Sequence, residues 1–251
     1  MAQNTIDCGT GTAREIRSYE ELKQRLGVIL VGTSRNIKQL SHCVHAACFD
    51  MSLVCVMIEA AGSSPGGKNS LGGKIGPRTE GGETGDSGRA APETRPGGGI
   101  VRYAWLPEEV TAGFGLTPES VLHDALSAMQ RRYPAKISPI GQILQIDEEP
   151  AGLLVLTSAI GIFGAAAMFY PHVLREAAMR VGKSFFILPS SVHEVLLLPD
   201  HGEHDARELH EMVAAINRSE VAEQDVLTDS VYYYDAGKPD AEALQIVFSA
   251  V

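Results

Sequence analysis

The sequence predicts an α+β protein with mixed or antiparallel sheets, packed helices and one long disordered Gly-rich insertion. Short apolar runs bounded by turn-forming residues indicate strands, and amphipathic segments with capping residues indicate helices. These elements do not alternate strictly along the chain, which favours α+β over a doubly wound fold. With 44% hydrophobic and 21% charged residues, the 251-residue chain has the composition of an ordinary globular protein.

The first elements are a helix and two buried strands. Ser18 and Glu21 have capping-box spacing, with a hydroxyl at the helix cap and a carboxylate three residues later. Gly27 is expected to end this helix, because glycine tolerates the left-handed conformation of a helix stop. The apolar runs at 27–31 and 51–58 then predict two strands.

Residues 62–99 break this pattern, since they hold 13 of the 26 glycines and few apolar side chains. Such a segment buries too little apolar surface to offset the entropy of ordering, so we expect a flexible insertion. A strand is expected to follow at 100–103. Residues 62–69 nearly match a phosphate-binding loop, but Asn69 replaces the magnesium-binding hydroxyl and no helix-forming sequence follows.

The second half of the chain begins with a clear helix start. Thr117 supplies a cap, Pro118 a first-turn proline and Glu119 an acid near the positive helix end. A later helix is expected to bury Met212 and Ile216. The further predicted elements are strands at 143–146, 153–156 and 165–169, a helix at 171–181, strands at 184–188 and 194–198, that later helix at 203–217 and an edge strand at 230–235.

These elements predict two α+β subdomains. The first covers residues 1–115 and is interrupted by the insertion; the second covers 116–251 and carries the sequence PSSVHEV at 189–195. We expect a cytoplasmic location, because the start of the chain lacks the charged and apolar parts of a secretory signal. The cysteines form no CxxC pair, which indicates reduced thiols; they are Cys8, Cys43, Cys48 and Cys55.

Charge and hydropathy bear on the possible partners. A net charge of −10 without a cationic cluster argues against nucleic-acid binding. Residues 151–174 contain no Asp, Glu, Lys or Arg, and a run of that length could cross a bilayer. Glycines and hydroxyl residues punctuate it at strand and turn spacing, and no basic cluster flanks it. We therefore expect buried strands and a helix start, and no membrane partner.

Ser190, Ser191, His193 and Glu194 are the first candidate site. Glu194 would point away from His193 on a strand and so could not orient the imidazole, and no GxSxG sequence surrounds either serine. We therefore predict a polar turn between hairpin strands that contacts a ligand without catalysing a reaction. The alternative is a hydrolase using Ser190 or Ser191 with His193, completed by a distant acid. The available acids are Asp50, Asp147, Asp200 and Asp229.

A second alternative is a zinc-binding protein, because four possible metal ligands lie within seven residues. A structural zinc site usually needs two ligand pairs, and no second pair is evident elsewhere in the sequence. Buried thiols beside a capping histidine explain the same pattern, and no cofactor is predicted. The four possible ligands are His42, Cys43, His45 and Cys48.

The C-terminal half resembles the domain-of-unknown-function family 5688. The resemblance is carried by GAAAMFYPHVLREAAMRVGKSFFILPSSVHEVLLLPD (164–200) and RELHEMVAAINRSEVAEQDVLTDSVYYYD (207–235), and extends upstream through 19–40, 45–58 and 115–126. The family is found mainly in Firmicutes, which implies a bacterial source, and its members lack a counterpart of the Gly-rich segment. It brings no established activity, but PSSVHEV is its most recognisable signature.

The function predicted from these observations is that of a non-catalytic cytoplasmic protein binding a protein partner or a small ligand. No complete catalytic constellation is visible in the sequence, and the acidic charge and Gly-rich arm fit an interaction protein. The resemblance directs attention to the same four residues, Ser190, Ser191, His193 and Glu194.

Overall fold

A computed structural model of the protein describes residues 5–6, 14–60, 93–94, 100–146 and 152–249. Side chains are described for 16–58, 103–146 and 152–249. Helices and antiparallel sheets together form the α+β fold that the sequence predicts. The expected insertion at 62–99 lies outside the described residues, apart from a two-residue strand at Glu93–Thr94.

The helices are α1 (Tyr19–Lys23), α2 (Thr33–Leu40), α3 (Glu108–Gly113), α4 (Pro118–Arg132), α5 (Ile140–Leu144), α6 (Val173–Val181), α7 (Ala206–Ser219) and α8 (Asp240–Ala243), with 3₁₀ helices at Gly164–Phe169 and Glu223–Asp225. The strands are β1 (Thr5–Ile6), β2 (Arg14–Glu15), β3 (Leu26–Gly32), β4 (His45–Cys48), β5 (Met51–Ala60), β6 (Glu93–Thr94), β7 (Ile100–Trp105), β8 (Ala135–Pro139), β9 (Leu154–Ser158), β10 (Phe185–Ser191), β11 (Glu194–Pro199), β12 (Val231–Tyr234) and β13 (Leu244–Phe248).

The first large sheet has the order β3-β5-β7-β6, and β4 also pairs with β5. Every residue of β3 is buried, and both α4 and the 3₁₀ helix Gly164–Phe169 pack against it. Gly27 lies inside β3, so the prediction that it ends α1 was wrong: α1 already ends at Gln24. A Cβ at Gly27 would lie 2.4 Å from Cδ1 of Ile58, so close packing accounts for this glycine.

The second large sheet has the order β13-β12-β10-β11-β9-β8. Alternate residues of β10 enter two separate hydrophobic clusters, because successive strand side chains point to opposite faces. Phe185 and Ile187 join the larger cluster, while Phe186 and Leu188 pack with Leu209 of α7. Burial on both faces explains why the strands at 184–188 and 194–198 were recognisable as continuous apolar runs.

Three predicted strands differ from the observed elements. Residues 143–146 form the end of α5 and the turn after it, because a four-residue apolar run fits a helical turn as well as a strand. Residues 165–169 belong to a 3₁₀ helix, whose tight entry at Gly164 leaves no space for a Cβ. The strand at 230–235 is an interior strand, since β13 pairs with its outer side.

Helix α7 differs from its prediction in which residues it buries. Leu209, Val213 and Asn217 face the sheet, whereas Met212 and Ile216 are 47% and 40% exposed. The helix lies against β10, β12 and β13 near one edge of the sheet, so it buries a narrower stripe than its apolar pattern suggests.

The long apolar segment is part of the interior. Its described residues form β9, the 3₁₀ helix and the start of α6, and Ala165, Ala166 and Ala167 are fully buried. Within the described ranges, no helix has both the length and the apolar character needed to cross a bilayer.

The larger hydrophobic cluster contains residues from both halves of the chain, from Ile16 to Ala243. Tyr103 of β7 and Phe163 illustrate the contact, since their ring centroids lie 4.8 Å apart in an edge-to-face arrangement. The two halves therefore share buried surface, and their division into subdomains 1–115 and 116–251 stays a prediction.

Tyr170 is buried within this cluster with an unsatisfied hydroxyl. Its exposed fraction is 2%, and its Oη has no hydrogen-bond partner among the described residues. Because a buried hydroxyl without a partner costs about 1–3 kcal/mol, Tyr170→Phe should raise the free energy of unfolding by about 1 kcal/mol. Urea denaturation followed by circular dichroism would measure this, and a loss of stability would contradict it.

Candidate functional site

The hairpin of β10 and β11 carries the candidate residues. Ser191 pairs with Glu194 across a two-residue turn formed by Val192 and His193, and the register shifts between Pro189 and Ser191. The Pro-Ser-Ser residues therefore belong to the end of β10, whereas the sequence suggested that they form the turn itself. We call Ser190, Ser191, His193 and Glu194 the hairpin corner; all four are partly exposed.

The imidazole of His193 contacts two other segments of the chain. Its Nδ1 lies 3.3 Å from the backbone N of Phe163, which donates to it, and its Nε2 lies 3.9 Å from Oδ1 of Asp225. Because Nδ1 accepts the hydrogen bond from Phe163, the neutral ring is assigned the tautomer that carries its proton on Nε2. That proton is directed towards the carboxylate of Asp225. The side chains of His193 and Asp225 are 24% and 23% exposed.

Backbone groups of the turn are also held by neighbouring segments. Ser191 Oγ accepts a 3.1 Å hydrogen bond from the N–H of His193, a local bond typical of serine in turns. Thr157 of β9 donates to the carbonyl of His193 at 2.8 Å. The N–H of Val192 donates to the carbonyl of Asp225 at 2.9 Å, so β9 and the 3₁₀ helix Glu223–Asp225 both hold the backbone of the turn.

This arrangement limits what the ring can do chemically. A neutral imidazole has one nitrogen lone pair, and here the N–H of Phe163 uses it. A base that deprotonates a serine hydroxyl needs that lone pair directed at the hydroxyl. His193 would have to leave Phe163 before it could serve Ser190 or Ser191 in that way.

The acid beside His193 differs from those suggested by the sequence. Asp225 lies in the 3₁₀ helix Glu223–Asp225, 32 residues beyond His193, and no local pattern marks it. Asp200 accepts hydrogen bonds from Tyr233 Oη and from the N–H of Gly202. Both bonds lower the pKa of the Asp200 carboxyl, and the bond from Gly202 has the larger effect. Asp229 accepts from Asn217. Asp147 lies outside the described residues.

The residues of the zinc alternative are not assembled into a site. His42 is exposed, His45 Nδ1 lies 2.9 Å from the carbonyl of Cys43, and Cys48 donates to the carbonyl of Ala46. Burial raises the pKa of the Cys43 and Cys48 thiols, which disfavours the thiolate that metals bind. Where the structure describes the chain, no group of three or more potential ligands could hold a metal ion.

A second polar cluster surrounds Asp50, in the turn between β4 and β5. Its carboxylate accepts hydrogen bonds from the hydroxyls of Thr228, Ser230 and Tyr232, the last two of which are fully buried residues. We call these four residues the Asp50 cluster. It joins the first sheet to β12 of the second, whereas the sequence suggested Asp50 only as a possible partner of His193.

The Asp50 cluster predicts a loss of stability at high pH. Burial, with a smaller contribution from the Asp50 bond, raises the pKa of Tyr232 above its usual value. The unfolded chain loses its tyrosine protons near pH 10 while the folded protein keeps this one, so stability falls as pH rises above about 10. Melting temperatures between about pH 8 and 11 should fall less steeply in Tyr232→Phe, and an equal slope would contradict the prediction.

Fold and site together define an α+β protein with a fixed polar corner on a buried hairpin. Residues 103–236 match a family of unknown function, DUF5688, and this match covers just over half of the chain. The protein therefore belongs to that family, as the resemblance predicted. No curated protein and no solved structure matches the chain. The matched region includes the hairpin corner and Asp225.

Proposed function

We propose that this protein is a non-catalytic cytoplasmic binding protein whose small ligand or protein partner contacts the hairpin corner. The observation that carries the proposal is the position of the His193 ring, between the N–H of Phe163 and the carboxylate of Asp225. A ring held in this way positions the turn, and it is not poised to accept a proton from a serine.

The corner suits recognition because its backbone is held by hydrogen bonds while its side chains reach solvent. Sites supported by a rigid scaffold lose little entropy on binding. Ser190 and Glu194 are partly exposed and present a hydroxyl and a carboxylate, and Asp225 adds a second carboxylate nearby. These groups fit a ligand that offers N–H donors.

The cysteines support the proposed compartment. Cys43, Cys48 and Cys55 are free thiols, and burial raises the pKa of each. Unpaired cysteines are usual where thiols are kept reduced, as in the cytoplasm.

Ligand screening by thermal shift tests the binding proposal. A panel of amino acids, amines and short peptides would be screened against the wild type and a Ser190→Ala, Glu194→Gln double variant. A compound that raises the melting temperature of the wild type by about 2 °C or more, and loses this effect in the variant, would support binding at the corner. A stabilising compound that acts equally on both proteins would place the site elsewhere.

The hydrolase and zinc alternatives have separate tests. A fluorophosphonate probe at neutral pH should leave Ser190 and Ser191 unlabelled; labelling that disappears in Ser190→Ala or Ser191→Ala would replace the proposal by a hydrolase. Elemental analysis of the purified protein should find no stoichiometric zinc, whereas one zinc per chain, lost in Cys48→Ser, would favour the zinc alternative.

A further inference from the structure

An open groove of about 500 Å³ lies between α1 and α4, and no residue of the hairpin corner lines it. We propose that it binds a small, multiply charged oxyanion, such as a phosphate ester or a polycarboxylate. Its volume falls within the range of about 300–1,000 Å³ that is usual for small-molecule sites. The lining residues are Glu20, Lys23, Gln24, Ala128, Arg131 and Arg132.

The charge of the groove contrasts with that of the whole chain. Three of its six lining residues are cationic, although the chain carries a net charge of −10. Lys23 lies in the last turn of α1, and Arg131 and Arg132 lie in the last turn of α4. Cations are favourable at helix C-terminal ends, but that effect alone would not direct residues of two helices into one groove.

Two of the cations are held in place by neighbouring groups. Lys23 Nζ lies 2.9 Å from Oδ2 of Asp124, and that carboxylate also accepts from Tyr19 Oη at 2.8 Å. Arg132 donates through Nη2 to the carbonyl of Gln24, the C-cap residue of α1. That bond uses one of the five N–H donors of the guanidinium, so the group is oriented and retains further donors.

Arg131 completes the arrangement as an exposed guanidinium beside these two groups. Arginine binds phosphate and carboxylate groups through two parallel N–H bonds, which makes it suited to an oxyanion. Glu20 in the lining and Asp124, which pairs with Lys23 without lining the groove itself, offset part of the positive charge, so three cationic groups stand against two acidic ones. His123 is 82% exposed beside Asp124 and adds positive charge only when protonated.

The size of this charged surface favours a small ligand over a nucleic acid. Binding to a nucleic-acid backbone draws on many phosphate contacts along a cationic surface. The groove supplies only three cations in an acidic protein, which suits one ligand with two or three negative charges.

Calorimetric titration of the full chain with pyrophosphate and with citrate tests the proposal. At low ionic strength we expect at least one of the two to bind with a Kd of about 1 mM or tighter, and binding should weaken in about 150 mM salt. Preference for pyrophosphate would indicate a phosphate ligand, and preference for citrate a polycarboxylate. Failure of both to bind at about 10 mM would overturn the proposal, as would tighter binding of a DNA duplex.

Arg131→Gln, with Arg218→Gln as its control, locates the binding. Arg218 is also an exposed arginine in the last turn of a helix, α7, so both variants lose the same helix-end interaction. Binding should weaken about tenfold in Arg131→Gln and stay unchanged in Arg218→Gln. Equal effects of the two variants would overturn the proposal.

A measurement on the wild type keeps the test independent of any variant's folding. Amide chemical-shift changes on adding pyrophosphate or citrate should concentrate at 20–24 and 128–132. Changes centred on the hairpin corner would overturn the groove assignment and support the proposed function instead, so the two proposals fail separately.

Discussion

Asp50→Ala should lower the free energy of unfolding by about 3 kcal/mol, because buried hydroxyls that lose their acceptor cost about 1–3 kcal/mol each. Tyr232 is fully buried and Thr228 nearly so, and both donate to this carboxylate. Ser230 also gives up a 2.7 Å bond to Oδ2. Urea denaturation followed by circular dichroism would measure the loss.

Two further variants separate this explanation from a general effect of changing the turn. Asp50→Asn keeps one acceptor oxygen and should lose less stability than Asp50→Ala. Combining Asp50→Ala with Tyr232→Phe should cost about 1 kcal/mol less than the sum of the single changes, because the second change removes a hydroxyl that the first leaves unsatisfied. A stability of Asp50→Ala within about 0.5 kcal/mol of the wild type would contradict the role of the Asp50 cluster.

Elements with strong local signals could be predicted from the sequence. The strands at 51–58 and 184–188 are apolar runs bounded by turn residues, and the start of α4 combines a cap, a proline and an acid at Thr117–Glu119. Ser18 indeed caps α1, accepting from the N–H of Glu21. In each case the residues that decide the structure lie within a few positions of one another.

Elements that depend on distant contacts could not be predicted in this way. Edge strand β13 has the sequence LQIVF, in which Gln245 interrupts a short apolar run, and only its pairing with β12 makes it a strand. Gly164 begins a 3₁₀ helix because the chain passes close to Ser158 and His193, a contact that no local pattern records.

In the candidate site, too, residues with a local sequence signal were predicted and residues brought in by distant contacts were missed. The hairpin was visible from its paired apolar runs, and the corner residues were found from their chemistry. Asp225 and Phe163 were missed, because only the fold brings them to His193. The cations of the groove were missed too, since Lys23 and the Arg131-Arg132 pair lie far apart in the sequence and converge only when α1 meets α4.

Gly164→Ala should destabilise the protein by about 3 kcal/mol or prevent folding, because overpacking a closed site costs about 1–3 kcal/mol and sometimes more. A Cβ at this position would lie 2.3 Å from the backbone N of Ser158, 2.3 Å from Thr157 Oγ1 and 2.5 Å from the carbonyl O of His193. Backbone atoms cannot move aside as a flexible side chain can. The added methyl group would push β9 away from the hairpin corner and break the bond from Thr157 to His193.

Gly237→Ala is the matched control for Gly164→Ala. Its Cβ would meet only Asp235 Oδ1, at 3.3 Å, in an exposed turn where the carboxylate can move. We expect its free energy of unfolding to stay within about 0.5 kcal/mol of the wild type. If the two variants were equally stable, the close approach at Gly164 would not be what holds the 3₁₀ helix against the corner.

Amide hydrogen exchange gives a second measurement of the same effect. Gly164→Ala should increase the exchange rate at Phe163 and His193 more than in β3, because the displaced contact lies at the hairpin.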